Sequence, residues 1–164
     1  MNIIEGNFSC GNYKFAIVLS RFNELIGQKL LKGALGCLKI AGCPDKNIDV
    51  IKVPGAFEIS LAAAKLAELK KYNALICLGA VIRGETPHFK YVSNAVSSGI
   101  SQISLKYNIP IAFGVITTNN IEQALERSAE KVKLRLEYSG KKLGNKGWDA
   151  ALTAIEMANL ITKI

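Results

Sequence analysis

Short apolar runs alternate along the chain with longer stretches in which apolar residues recur every three or four positions. Phe15 to Leu19, Ile48 to Val53, Ala74 to Ile82 and Ile109 to Ile116 read as strands, each bounded by glycine, proline or polar residues. Between them, Leu31, Ala34, Leu35, Leu38 and Ala41 line one helix face, which Gly42 and Pro44 end. Ile59, Ala62, Ala63 and Leu66 mark a second helix, and Val92, Ala95, Val96, Gly99, Ile100 and Ile103 a third. After the fourth strand, Asn119 with Glu122 has capping-box spacing, and Ile121, Leu125, Ser128, Val132 and Leu136 keep one face to about Tyr138. A glycine-punctuated loop from Ser139 to Gly147 leads into a last helix with Ala151, Ala154, Ile155, Ala158 and Ile161 inward. Strands that alternate with helices pair in parallel, because the intervening helix is the crossover. The pattern predicts one α/β domain over residues 1–164: a flavodoxin-like three-layer sandwich with a four-stranded parallel sheet flanked by helices.

In such a sheet, ligands bind beyond the carboxyl ends of the strands. The four exits carry Ser20-Arg21-Phe22-Asn23, Pro54-Gly55-Ala56-Phe57-Glu58, Ile82 to His88, and Gly114 to Thr118. His88 is the sole histidine. Thr86 followed by Pro87 has the form of a helix N-cap with proline at the first helical position, which puts His88 in a first turn whose free N–H groups attract an anion such as phosphate. Each residue also has an ordinary explanation. Phe22 and Phe57 would cap the core, Glu58 would complement a helix dipole, and His88 would be a surface residue. Their joint occurrence describes instead a pocket with aromatic faces for a flat ring, an acceptor for hydroxyl groups and backbone donors for phosphate.

Charge and motifs narrow the class. Twenty-one Lys and Arg against 13 Asp and Glu give a formal net charge of +8, compatible with phosphorylated metabolites or nucleic acid. No Gly-x-Gly-x-x-Gly follows the first strand, and no P-loop or Gly-x-Ser-x-Gly elbow occurs, which disfavours dinucleotide binding, nucleotide hydrolysis and serine-hydrolase chemistry. The first strand's exit lacks both the acidic pair of a receiver domain and the Ser/Thr-rich loop of a flavodoxin. Cys10, Cys37, Cys43 and Cys77 form no Cys-x-x-Cys pair, and one histidine without clustered cysteines or carboxylates makes no metal site. The residues from Met1 to Gly6 carry no signal-type stretch, and no run is long enough to span a membrane. A reduced, soluble, cytoplasmic protein is expected.

These same blocks, together with Gly79 to Phe89, Phe113 to Thr118, Glu122-Gln123-Ala124 and Asn145-Lys146-Gly147, resemble the 6,7-dimethyl-8-ribityllumazine synthase family over nearly the whole chain and in order. The resemblance implies the penultimate step of riboflavin synthesis. In that reaction 5-amino-6-(D-ribitylamino)uracil condenses with 3,4-dihydroxy-2-butanone 4-phosphate, releasing phosphate and water, with no bound cofactor. By position, it implies that Phe22 stacks on the pyrimidine and that Ala56, Phe57 and Glu58 line the ribityl chain. Ala80, Val81 and Ile82 would meet the uracil edge, Glu85 and Thr86 the phosphate, and His88 would donate the proton. Phe113, Arg127 and Lys146 would complete the site from a neighbouring subunit.

The chain departs from the family pattern at Lys90, where an acidic residue is common, and at Ser60, where proline is usual. Ser128-Ala129 also replaces the usual Ala-Gly after Arg127 and extends the segment that follows, which leaves Arg135 and Lys142 as alternative phosphate ligands. The family forms pentamers, some packed into icosahedral shells. The longer segment here favours an isolated pentamer or a small stack, while the glycine-rich loop keeps the shell open. Ile3 to Phe8 would add a strand to a neighbour's sheet. A second class, a basic nucleic-acid-binding module, would use Arg127, Lys131, Lys133, Arg135, Lys141, Lys142 and Lys146. Their irregular spacing without interleaved aromatics is that of a solvated face.

Overall fold

A computed structural model of the chain describes residues 1–129 and 144–164. Within them the elements are β1 (Phe15–Ser20), α1 (Glu24–Ile40), β2 (Ile48–Val53), α2 (Ile59–Glu68), β3 (Ala74–Ile82), α3 (His88–Tyr107), β4 (Ile111–Thr118), α4 (Ile121–Arg127) and α5 (Lys146–Ile161). The strands form one all-parallel sheet in the order β2-β1-β3-β4. This is the doubly wound order of flavodoxin-like folds, and its switch point lies between β1 and β3.

Alternation along β1 explains the three layers. Phe15, Ile17 and Leu19 point to one face and are buried with α1 and α5, alongside Ala124 of α4, whereas Ala16 and Val18 are buried on the other face with α2 and α3. All six residues of β1 are buried, as expected for a central strand covered on both sides. β2 is an edge strand with partly exposed residues, which is why its sequence mixes Asp49 and Lys52 with apolar residues. The four cysteines are free and buried. Burial pushes the Cys10 and Cys77 thiols up to about 12, so both remain protonated and unreactive at neutral pH.

Several boundaries differ from the sequence reading. β4 begins at Ile111 rather than Ile109: Pro110 has no N–H to give the ladder, although its carbonyl accepts from the Leu75 N–H. The buried stripe of α1 runs through Ile26, Leu30, Ala34, Cys37 and Leu38, leaving Leu31 and Leu35 half-buried. Ile161 is exposed at the last turn of α5, and Asn159 takes an inward position, donating to the Ser9 and Ile155 carbonyls. The cap of α4 is Asn120, not Asn119: its side chain accepts from the Gln123 N–H at 2.9 Å, while the Gln123 side chain accepts from the Asn119 N–H at 2.9 Å. This is the reciprocal logic of a capping box shifted by one residue.

α4 ends at Arg127, and most of the stretch over which a helix was expected to run on to Tyr138 lies outside the described residues. Ser128 leaves helical geometry, its Oγ donates back to the Ala124 carbonyl at 2.9 Å, and its own carbonyl accepts from the Asn145 side chain at 3.1 Å. Lys131, Lys133, Arg135, Lys141 and Lys142, which figured in the alternative readings, lie outside the described residues. Residues 3–8 form no strand within this single chain, and Ile3, Ile4 and Phe8 are exposed. No helix among the described residues is long and apolar enough to cross a membrane.

Candidate functional site

A cavity of about 430 Å³ opens where β1, β2 and β3 end, at the switch point of the sheet. Phe22 from the β1 exit and Ala56, Phe57 and Glu58 from the β2 exit line one side. Ala80, Val81 and Ile82 at the end of β3 line another, with Thr86, His88 and Phe89 closing it from the start of α3. Three separate stretches of chain thus converge.

The exposure of the two rings argues against one of their two explanations. A core-capping phenylalanine would be buried, but Phe22 is 71% and Phe57 61% exposed. Large apolar faces left in solvent beside a concavity mark a binding surface. Phe22 is held there by backbone geometry: the Arg21 N–H donates to Val53 O at 2.9 Å and the Phe22 N–H to Pro54 O at 3.1 Å, so the chain leaving β1 is tied to the chain leaving β2.

Glu58 stands at the N-cap of α2, its backbone already helical. Its carboxylate folds back over Gly55, where a Cβ would come within 2.9 Å of Glu58 Oε2. The bare glycine therefore leaves room for an acceptor that faces the cavity.

The α3 start differs in detail from its sequence reading. His88 is the first helical residue and Pro87 occupies the cap position, with no side-chain cap hydrogen bond, so Thr86 does not cap the helix. A helix of 20 residues nonetheless points its N-terminal N–H groups at the loop of Gly84 and Thr86, both of which line the cavity. His88 is exposed and lies at that same end. The start of a long helix and an imidazole meet there.

Glu85 is exposed between Gly84 and Thr86 but does not itself line the cavity. Phe113, Arg127 and Lys146 also lie off it. Phe113 sits within β4 opposite Cys77, its ring 48% exposed. Arg127 and Lys146 are the residues next to an antiparallel bridge between Ser128 and Asn145, at the junction of α4 and α5. Arg127 Nη1 donates to the Gln123 carbonyl at 3.1 Å, and Lys146 pairs with Asp149 at 3.1 Å. Among the described residues no group of three or more His, Cys, Asp or Glu could hold a metal.

Sequence reasoning passed over Asn23, Phe89 and Val92, all of which line the cavity. Asn23 stood in a quoted strand exit, and its tolerance of left-handed backbone was the available signal. The Phe89 ring lies 5.3 Å from the Arg83 guanidinium, a stacking that no spacing rule reveals.

Comparison with known proteins identifies the family. The family model described as 6,7-dimethyl-8-ribityllumazine synthase matches residues 12–162. A protein of Clostridium kluyveri is 53% identical over 164 residues, covering all of this chain and 99% of its own length. One from Desulfotalea psychrophila is 55% identical over 160 residues, 98% of this chain and 96% of its own. Both carry the name 6,7-dimethyl-8-ribityllumazine synthase. With a match across most of its length and relatives above half identity, this chain belongs to the 6,7-dimethyl-8-ribityllumazine synthase family.

Proposed function

We propose that this chain condenses 5-amino-6-(D-ribitylamino)uracil with 3,4-dihydroxy-2-butanone 4-phosphate to give 6,7-dimethyl-8-ribityllumazine, phosphate and water. The observation that carries the proposal is the meeting, around one cavity, of an exposed aromatic face at Phe22, the Glu58 carboxylate and the His88 end of α3. A flat, polyhydroxylated ring system and a phosphate each find their chemical complement there. Phe22 stacks on the pyrimidine, Ala56, Phe57 and Glu58 receive the ribityl chain, and the backbone of Ala80, Val81 and Ile82 reads the uracil edge. Thr86, together with the loop backbone at Glu85 rather than its carboxylate, cradles the phosphate at the helix start.

The reaction joins the 5-amino group to the ketone with loss of water, expels phosphate, and closes the second ring by attack of the ribityl-bearing nitrogen with loss of a further water. Each step moves a proton, and His88 lies where it exchanges protons with the phosphorylated partner. No step needs an oxidant or a metal, so the residues' main contribution is to hold two polar substrates face to face.

Phe113, Arg127 and Lys146 lie off this cavity, and in the proposed assembly they serve the cavity of a neighbouring copy. A homo-oligomer built on pentamers and working in the cytoplasm is part of the same proposal. Lys146 and Arg127 then serve the phosphate of that neighbouring cavity, a reading supported by their positions on either side of the Ser128–Asn145 bridge. The alternative of a nucleic-acid-binding module has no support in the family match.

Mixing the two substrates with the purified protein tests the function. A new absorbance band that grows together with released phosphate is the expected outcome. Phosphate release without the band, or neither, refutes it.

A further inference from the structure

We propose that Asn23 is the positioning residue of the stacking surface: its side chain replaces a missing sheet hydrogen bond between β1 and β3 and thereby fixes the backbone that carries Phe22. The inference rests on the assignment of Phe22 as the pyrimidine platform.

The parallel ladder between β1 and β3 ends at the Leu19–Leu78 pair, two residues before Ala80. Beyond that point the chain leaving β1 turns toward β2, as the Arg21 and Phe22 N–H groups donate to Val53 O and Pro54 O. The sheet therefore splits at its switch point, and the Ala80 carbonyl loses the backbone partner that a continued ladder would have given it. Asn23 Nδ2 donates to that carbonyl at 2.9 Å. The segment 21–23 is thus tied to β2 by its backbone and to β3 by one side chain, with the 71% exposed Phe22 ring between the two ties.

Backbone geometry explains the choice of asparagine. Asn23 has φ 61° and ψ 48°, left-handed values that glycine adopts freely and that asparagine and aspartate tolerate best among the other residues. Glycine would satisfy the conformation but offers no donor. Aspartate would satisfy it too, yet its carboxylate would face the Ala80 carbonyl, an acceptor against an acceptor. Of the three, asparagine alone supplies both the turn and the bond. Asn23 is also a hinge for the following helix, since its own carbonyl accepts from the Ile26 and Gly27 N–H groups.

The two substitutions separate conformation from hydrogen bonding, because Asn23→Gly and Asn23→Asp keep the turn and lose the bond. Both variants should lose only about 2–4 °C of melting temperature, one hydrogen bond's worth, and keep the parent's KM for the phosphorylated butanone. Affinity for ribitylaminouracil should fall about 3- to 10-fold in Asn23→Gly, the ratio expected for one neutral hydrogen bond, and further in Asn23→Asp. Hydrogen exchange at the Phe22 amide, measured without substrate, should quicken in both. Parental pyrimidine affinity and Phe22 exchange in Asn23→Gly would overturn the inference. So would equal losses toward both substrates, which indicate general loosening of the site. Should the parent itself form no lumazine, the proposed reaction fails, and the exchange measurement still decides whether Asn23 holds Phe22.

Discussion

The cavity and the seam between α1 and α5 use the same two residue types for opposite ends. At the cavity, Asn23 and Gly55 leave space: one holds a turn open beside an exposed ring, and the other clears room for the Glu58 carboxylate. At the seam, Asn145 and Gly147 remove it. Asn145 is 2% exposed and spends its whole hydrogen-bonding capacity, donating to Lys29 O and Ser128 O and accepting from the Gly147 and Trp148 N–H groups. Gly147 lets the first turn of α5 rest on the backbone of α1, where any Cβ would fall on the Leu30 carbonyl. The obstacle at Gly55 is the end of a flexible side chain, whereas at Gly147 it is main chain. That difference separates a region whose changes should alter chemistry from one whose changes should alter stability.

The sharpest form of the contrast is His88, which lies in the cavity, is exposed, and stands at the helix start with no part in either hydrophobic cluster. Replacing it should leave the fold intact and remove proton transfer. His88→Ala should lower turnover by ~10²- to 10⁴-fold, the range for loss of a general acid or base, with the melting temperature unchanged. A parental kcat in this variant would take His88 out of the chemistry, and a lower melting temperature would break the division between the two regions.

Gly147→Ala probes the other side. The added methyl has no side chain to push away, so α5 must lift from α1, and the interior is too close-packed to yield freely. The expected loss is about 3 kcal/mol of stability, the upper end for overpacking a core. Thermal unfolding should show it, at about 2–4 °C per kcal/mol for a chain of this size. Variant protein that does fold should retain its affinity for ribitylaminouracil, because the seam lies outside the cavity lining. An unshifted melting curve would show that the helices slide apart at little cost.

The strands and their parallel arrangement were legible in the sequence, because burial on both faces forces near-continuous apolar runs, as in Phe15 to Leu19 and Ala74 to Ile82, and the helices between them are crossovers. The cavity was legible for a related reason: parallel topology sends every strand exit to one edge, so Phe22, Phe57, Glu58 and His88 are brought together although far apart in the chain. What was not legible depended on single side-chain hydrogen bonds. α4 was expected to pass Ser128 but ends at Arg127, where Asn145, 17 residues on, donates to the Ser128 carbonyl, and no local periodicity records that contact. Asn145 had been grouped with Lys146 and Gly147 as a motif associated with the neighbouring site, yet its own role is to cap α5 and join it to α4. Asn23 was hidden likewise, since its partner Ala80 is 57 residues away. Periodicity reports which face is buried, whereas the residues that end elements and aim side chains answer to partners distant in sequence.

Gly55→Ala should have the smallest effect and tests the comparison most finely. Its Cβ would lie 2.9 Å from Glu58 Oε2, and the carboxylate, at the end of a flexible exposed side chain, can rotate away. Stability should therefore be unchanged, in contrast to Gly147→Ala, although both replace glycine by alanine. The rotation takes the acceptor off the ribityl position. KM for ribitylaminouracil should rise about 5- to 20-fold, as part of a charge-assisted hydrogen bond is lost, while KM for the phosphorylated butanone stays the same. In the double variant Gly55→Ala with Glu58→Gln, the second change should add less than it does alone, because the acceptor has already been displaced. Full additivity would mean that Gly55 acts on binding by some route other than the Glu58 carboxylate, and a fall in melting temperature would mean that the β2 exit is as rigid as the helix seam.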